Sequence, residues 1–224
     1  MKKSNQNFDK KIILLRNILL LSVFAFIAPN ISNGQDGDFN ERITFGIKAG
    51  ANYSNVFDEQ GDQFVADPKF GLAAGAFFTI PLGRYLGVHP EVIYSQKGFQ
   101  STGRFLGSNY TLSRTSNFLD IPILFALKPA PMITLLAGPQ FSYLLSQKDD
   151  FEGSSISIDQ QREFENDNIR NNILGFVVGG DINIDNVVLG LRAGWDLRRN
   201  HGDGDSSTPR YKNMLYQATL GFRF

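Results

Sequence analysis

Histidine is the first residue type to test for chemistry in this chain, because its 224 residues include no cysteine and two histidines, His89 and His201. His89, Glu91 and Ser95 share one parity, so on a strand they would face the same side. A serine, a histidine and a carboxylate are the parts of a nucleophilic triad, here one that would suit a lipid hydrolase. Residues two apart on a strand stand about 7 Å from each other, too far for a direct relay without help from a second strand. A polar structural cluster is the plainer expectation, and no catalytic residue is assigned. His201-Gly-Asp-Gly-Asp205 is similar to a fragment of a calcium loop, but no glutamate follows at the required spacing, so a solvated loop is expected there. Asp149, Asp150, Glu152, Asp159, Glu163, Glu165 and Asp167 form an acidic stretch that Arg162 and Arg170 offset in part. A hydrated loop is its simpler reading, with weak divalent-cation contact as the alternative. Asn52-Tyr-Ser54 and Asn109-Tyr-Thr111 match glycosylation sequons at chance frequency. No phosphate loop or dinucleotide fingerprint occurs, and neither a cofactor nor a metal is expected.

Composition narrows the classes further. Twenty-two basic side chains balance 22 acidic ones, with no basic block, which argues against a nucleic-acid partner. The lack of cysteine removes disulfide scaffolds, thiolate zinc sites and thiol catalysis. The 20 Phe, 7 Tyr and 22 Gly, with charges held to 20%, do not describe a disordered chain. The one long apolar run, residues 18–28, is well short of the ~20 residues a spanning helix needs.

That run belongs to a targeting segment. Lys2, Lys3, Lys10, Lys11 and Arg16 precede it, Pro29 and Asn30 break it, and Ser32 and Gly34 put small residues before a cut between Gly34 and Gln35. The order is that of a secretory signal peptide, residues 1–34, with a retained anchor helix as the alternative. A short polar segment, residues 35–42, would then lead into one domain over residues 43–224.

The elements that must position the polar residues follow from alternation. Over residues 43–53, Ile43, Phe45, Ile47, Ala49, Ala51 and Tyr53 lie on one parity, with Thr44, Gly46, Lys48, Gly50 and Asn52 on the other. The pattern recurs over residues 70–80, 86–96, 117–127, 132–146, 174–184, 187–197 and 214–224, ending on Phe222-Arg223-Phe224. Eight strands of about ten residues have the length of tilted membrane-crossing strands. The links alternate as well: 54–69, 97–116, 147–173 and 198–213 are long, and 81–85, 129–131 and 185–186 are short. Long loops on one side and tight turns on the other are the layout of an outer-membrane barrel. The expected fold is therefore an all-β, eight-stranded antiparallel transmembrane barrel, with long loops outside and termini in the periplasm. A secreted soluble barrel or sandwich is the alternative. Pro90, Pro122 and Pro139 inside proposed strands count against a closed ladder.

Phe45-Gly-Ile-Lys-Ala-Gly-Ala-Asn-Tyr-Ser-Asn55, Pro90-Glu-Val-Ile-Tyr-Ser-Gln-Lys-Gly98, Phe118-Leu-Asp-Ile-Pro-Ile-Leu-Phe125 and Leu136-Ala-Gly-Pro-Gln-Phe-Ser-Tyr143 resemble the PorT-type outer-membrane β-barrel family of Bacteroidetes. The similarity runs over essentially the whole exported chain. It implies the fold and the location, and such sequences usually carry proline where Pro90 and Pro122 stand. Its founding member is linked to type IX secretion, which makes an accessory secretion role the second functional expectation. The first is a non-enzymatic envelope protein whose outer loops meet partners.

Charges of both signs fall on the parity opposite the apolar one: Lys48, Lys97, Lys128, Arg192 and Arg223 with Glu91, Asp120, Asp181 and Asp196. An eight-strand barrel is just wide enough for its own side chains to fill. These charges are expected to pair across the lumen, Arg192 with Asp181 first, and to leave no continuous water path. Phe222 and Phe224 resemble barrel C-terminal assembly signals. The partners this reading implies are outer-membrane lipid and lipopolysaccharide, the barrel assembly machinery and envelope or secretion proteins.

Overall fold

The computed structural model describes residues 42–60, 65–105, 108–152, 170–200 and 210–224. The cut between Gly34 and Gln35, the segment His201–Asp205 and residues 153–169 of the acidic stretch lie outside them. The described strands are β1 (Thr44–Gln60), β2 (Val65–Pro81), β3 (Leu86–Phe105), β4 (Ser108–Ala130), β5 (Ile133–Glu152), β6 (Asn172–Ile184), β7 (Val187–Asp196) and β8 (Arg210–Arg223). Each pairs antiparallel with its sequence neighbours, and β1 pairs with β8, which closes the barrel.

Alternation decides which way the barrel is turned. Phe70 is 72% exposed, Leu191 68% and Phe125 67%, whereas Glu91 and Asp120 on the opposite parity are 2% exposed. A soluble barrel reverses this, because water would take the charges and the core the large apolar groups. The continuous apolar outer surface is far larger than the patches soluble proteins expose, and it fits lipid. Aromatic residues gather at its lower edge, where Phe224 stacks on Phe45 at 5.0 Å and packs edge-on to Phe222 at 5.2 Å.

The stagger follows from the register. Tyr53 pairs with Tyr216, and successive partners Ala193, Val178, Ala137, Phe125, Val88 and Ile80 lead back to β1 beside Ile43, ten residues along. Ten residues over eight strands correspond to a tilt of about 40° and a height gain of about 2.5 Å per residue.

The strands outrun the spans expected from alternation. β1 continues to Gln60 and β2 begins at Val65, while β3 and β4 pair up to Phe105 and Ser108. Links expected over 54–69 and 97–116 are thus mostly ladder. The physical reason is that outward positions turn polar at Asn55, Gln96, Asn117 and Ser146 while backbone pairing goes on. Alternation of apolar with polar residues stops where lipid stops, but hydrogen bonding does not. As a result the ladder, over the described residues, ends in an oblique rim. Gln96 to Phe105 adds roughly 20 Å of height at this tilt on the β3–β4 side, whereas β6 starts at Asn172, level with Tyr143.

The three prolines lie side by side on β3, β4 and β5. Pairing skips between Phe77–Glu91 and Ile80–Val88, between Pro90–Ile123 and Ile93–Asp120, and between Pro122–Gln140 and Phe125–Ala137. Each gap sits beside a residue with no N–H to donate, and the strands run through without losing register. At the opposite end from the rim the connections are short, and Asp185 takes φ 48° in the Asp185–Asn186 turn, a conformation aspartate tolerates.

Candidate functional site

Among the described residues, reactive groups come together in the lumen, in tiers that begin at the short-turn end. Thr44, Thr79, Lys128, Thr134, Asn183 and Arg223 line a cavity of about 20 Å³, room for about one water molecule. Asn183 donates to Thr134 Oγ1 at 3.0 Å. Arg223 Nε donates to the Asp185 carbonyl at 2.8 Å, so this arginine ties the β8 end to a turn.

Above it, Glu91 is the centre of an ion cluster. Lys48 Nζ donates to Glu91 Oε2, Arg192 Nη2 donates to Glu91 Oε1 at 3.2 Å, and His89 Nε2 lies 3.0 Å from the same oxygen. Arg192 Nη1 donates to Asp181 at 2.7 Å. His89 stacks on Phe77 at 5.2 Å, and its Nδ1 meets the Thr79 hydroxyl at 2.9 Å. All these polar groups are buried. Their closeness depends on small residues: a Cβ at Gly190 would meet Thr219 Oγ1 and the Asp181 carboxylate within 3 Å.

Higher still, Asn52 donates to Ser95 Oγ at 2.9 Å and accepts from Gln217 at 2.9 Å. Lys97 donates to Asp120 at 3.0 Å and to Ser142 at 3.3 Å, over the ring of Phe118. Asp196 accepts from the side chain and backbone of Asn213 at 2.6 and 3.1 Å. At rim height Arg114 grips Asp149 with two bonds of 2.8 and 2.7 Å and donates to Tyr211 at 3.1 Å. Val56, Phe99 and Tyr211 pack beneath that clamp.

One expectation about distance changes here. His89 and Glu91 touch despite their spacing, because both side chains are long enough to lean toward each other. Ser95 is turned to Asn52, and no hydrogen bond joins it to His89, so the three residues do not form a relay. Among the described residues no group of three His, Asp or Glu is arranged to hold a metal ion. The lumen also contains more apolar side chains than alternation suggested. Phe77, Ile93, Phe118, Leu124, Leu136 and Val177 all point inward and are buried. Runs such as Phe118-Leu119 and Ile123-Leu124-Phe125 contain the signal, since an apolar residue on both parities means one of them faces in.

A closed eight-stranded wall, lipid-facing outside and ion-paired inside, defines the class of small outer-membrane β-barrel proteins. The chain belongs to the outer membrane protein beta-barrel domain family, whose model matches residues 33–221. Among solved structures it is similar to the attachment invasion locus protein Ail of Yersinia pestis, at 13% identity over 81% of this chain and 98% of that one, with a TM-score of 0.41. OprG of Pseudomonas aeruginosa gives 12% identity over 84% and 99%, with a TM-score of 0.44. Neisserial surface protein A gives 13% over 80% and 97%, with 0.41. No curated protein matches the chain.

Proposed function

We propose that this outer-membrane barrel is a non-enzymatic envelope protein whose packed lumen serves as a rigid post and whose oblique rim, facing outside the cell, meets partners. The observation that carries the reading is the division of labour along the strands. Below the polar boundary at Gln96 and Asn117 the interior is closed by paired charges, and above it β3, β4 and β5 continue as ladder. Ser95, bonded to Asn52 and not to His89, removes support from the lipid-hydrolase alternative. Lipid and lipopolysaccharide around the belt, the assembly machinery acting on Phe222 and Phe224, and envelope proteins at the rim are the partners in this reading. A PorT-type accessory role in type IX secretion is the second reading, favoured by the resemblance of residues 45–55 and 90–98.

The test is a deletion strain scored for protein secretion, detergent sensitivity and lipid composition. It is complemented either with the whole chain or with a version in which residues 103–110 are replaced by Asn-Gly. Loss of detergent resistance rescued only by the whole chain is the expected result. Full rescue by the shortened version would remove the rim from the function, and a secretion defect alone would favour the second reading.

A further inference from the structure

Between the pairs Pro68–Phe99 and Ala73–Ser95, β2 carries one residue more than β3. Such a bulge re-aims a side chain, and here the side chain is that of Lys69. On one side of it Phe70 and Leu72 are exposed on the lipid face; on the other Pro68 pairs with Phe99, which is buried in the lumen. Lys97 and Phe99 point inward, and so does Arg114, which leaves Gly98, Ser113 and Thr115 on the outer face. The Lys69 stem crosses β3 over Gly98, where a Cβ would stand 3.4 Å from its Cδ. Its Nζ then donates to Ser113 Oγ at 2.8 Å and to Thr115 Oγ1 at 2.6 Å on β4. Bonds from within the lumen hold the bulge: Ser54 Oγ accepts from Gly98 N at 2.8 Å, and Asn52 donates to the Gln96 carbonyl at 2.9 Å.

Gly98 and Thr115 stand two residues beyond Gln96 and Asn117, where outward positions turn polar, so the ammonium lies about 5 Å above the lipid belt. Both of its bonds are to neutral hydroxyls. Among the described residues it forms no ion pair: Asp150 is held by Lys148 at 2.7 Å, and Asp67, two residues away, does not pair with it. An ammonium has three donors, so one remains, and each hydroxyl that accepts from it keeps an O–H of its own to give. A positive charge and three donors thus share one spot at headgroup height, above the exposed side chains of Phe70, Leu72 and Tyr94.

We infer that Lys69, Ser113 and Thr115 hold the phosphate of a membrane lipid whose acyl chains lie on Phe70, Leu72 and Tyr94. Phosphate offers several acceptor oxygens, and charge-assisted bonds to it are the strong ones. A soluble anion would use the donors and leave the apolar wall beneath them idle.

The inference rests on the reading that lipid surrounds the belt, and it holds whichever side of the membrane the rim faces. Native mass spectrometry of the folded barrel, released from maltoside micelles, compares bound dioleoyl phosphatidic acid with dioleoylglycerol, which has the same chains and no phosphate. Retention of the phosphatidic acid should be about tenfold greater, the scale of one hydrogen bond to a charged group. Lys69→Gln should abolish that preference, whereas Lys148→Gln, which removes the same charge from an exposed pair, should leave it. The double variant Ser113→Ala, Thr115→Val should lower it several-fold and carries the test if Lys69→Gln lacks native strand content by circular dichroism. Excess inorganic phosphate should not displace the lipid. Equal retention of the two lipids overturns the inference but leaves lipid around the belt, and retention of neither removes both. Equal losses in the two lysine variants, or displacement by inorganic phosphate, also overturn it.

Discussion

Glu91 shows how much of this barrel depends on single side chains. It faces Lys48, His89 and Arg192 with almost no access to water. Removing one partner from a buried ion cluster leaves the others uncompensated, at a cost of about 3–5 kcal/mol. Glu91→Gln should therefore lower unfolding stability in lipid vesicles by about 3 kcal/mol or more, measured by urea titration. Lys148→Ala, which breaks an exposed pair, should change it by less than about 1 kcal/mol. Similar losses for the two variants would show that the lumen is wet enough to screen its charges. The pairing of Arg192 with Asp181 was open to inference from sequence because both lie on the inward parity of strands joined by a two-residue turn. The meeting of Glu91 with Arg192 was not, since β3 and β7 are not neighbours and only the closed wall brings them across the lumen.

At the scale of the strand, belt and rim are separable. Replacing residues 103–110 by Asn-Gly removes only the pairs from Gly103–Tyr110 outward. The shortened protein should unfold at the same urea concentration as the whole chain within error, because the described lipid-facing residues and lumen ion pairs all stay. A large loss of stability would mean the tall hairpin holds the barrel closed. Phe224 matters at the other end, where its N–H donates to the Phe45 carbonyl at 2.7 Å and its ring stacks on Phe45. Phe224→Ala should slow barrel insertion into vesicles, read as the rate of strand formation by circular dichroism; an unchanged rate would make the aromatic incidental. Strand existence was legible in the sequence wherever Ile, Leu, Phe or Val recurred every second residue. Strand length was not, because Gln100, Thr111, Ser113 and Thr115 alternate with nothing apolar outward.

For the whole molecule, the lumen packing predicts a closed pore. Ion pairs at Glu91 and Lys97, capped by Arg114, Phe99 and Tyr211, leave no wide aqueous path through a wall of this stagger. Reconstituted in planar bilayers, the protein should give no appreciable conductance; steady, reproducible channels would make it a small porin. Closure by eight strands could be read from sequence, because an even count with alternating long and short links returns the chain to its starting side. The oblique rim could not, since it depends on where each hairpin stops pairing.

Trp195, the one tryptophan in the chain, sits half-buried on the outer wall of β7 beside Phe176 at 5.9 Å. A lone indole at that height makes the barrel its own optical depth gauge. On insertion its emission should move to shorter wavelength, and lipids brominated along the acyl chain should quench it while aqueous acrylamide scarcely does. Emission that stays at the wavelength of indole in water would mean that the upper edge of the belt never enters the bilayer.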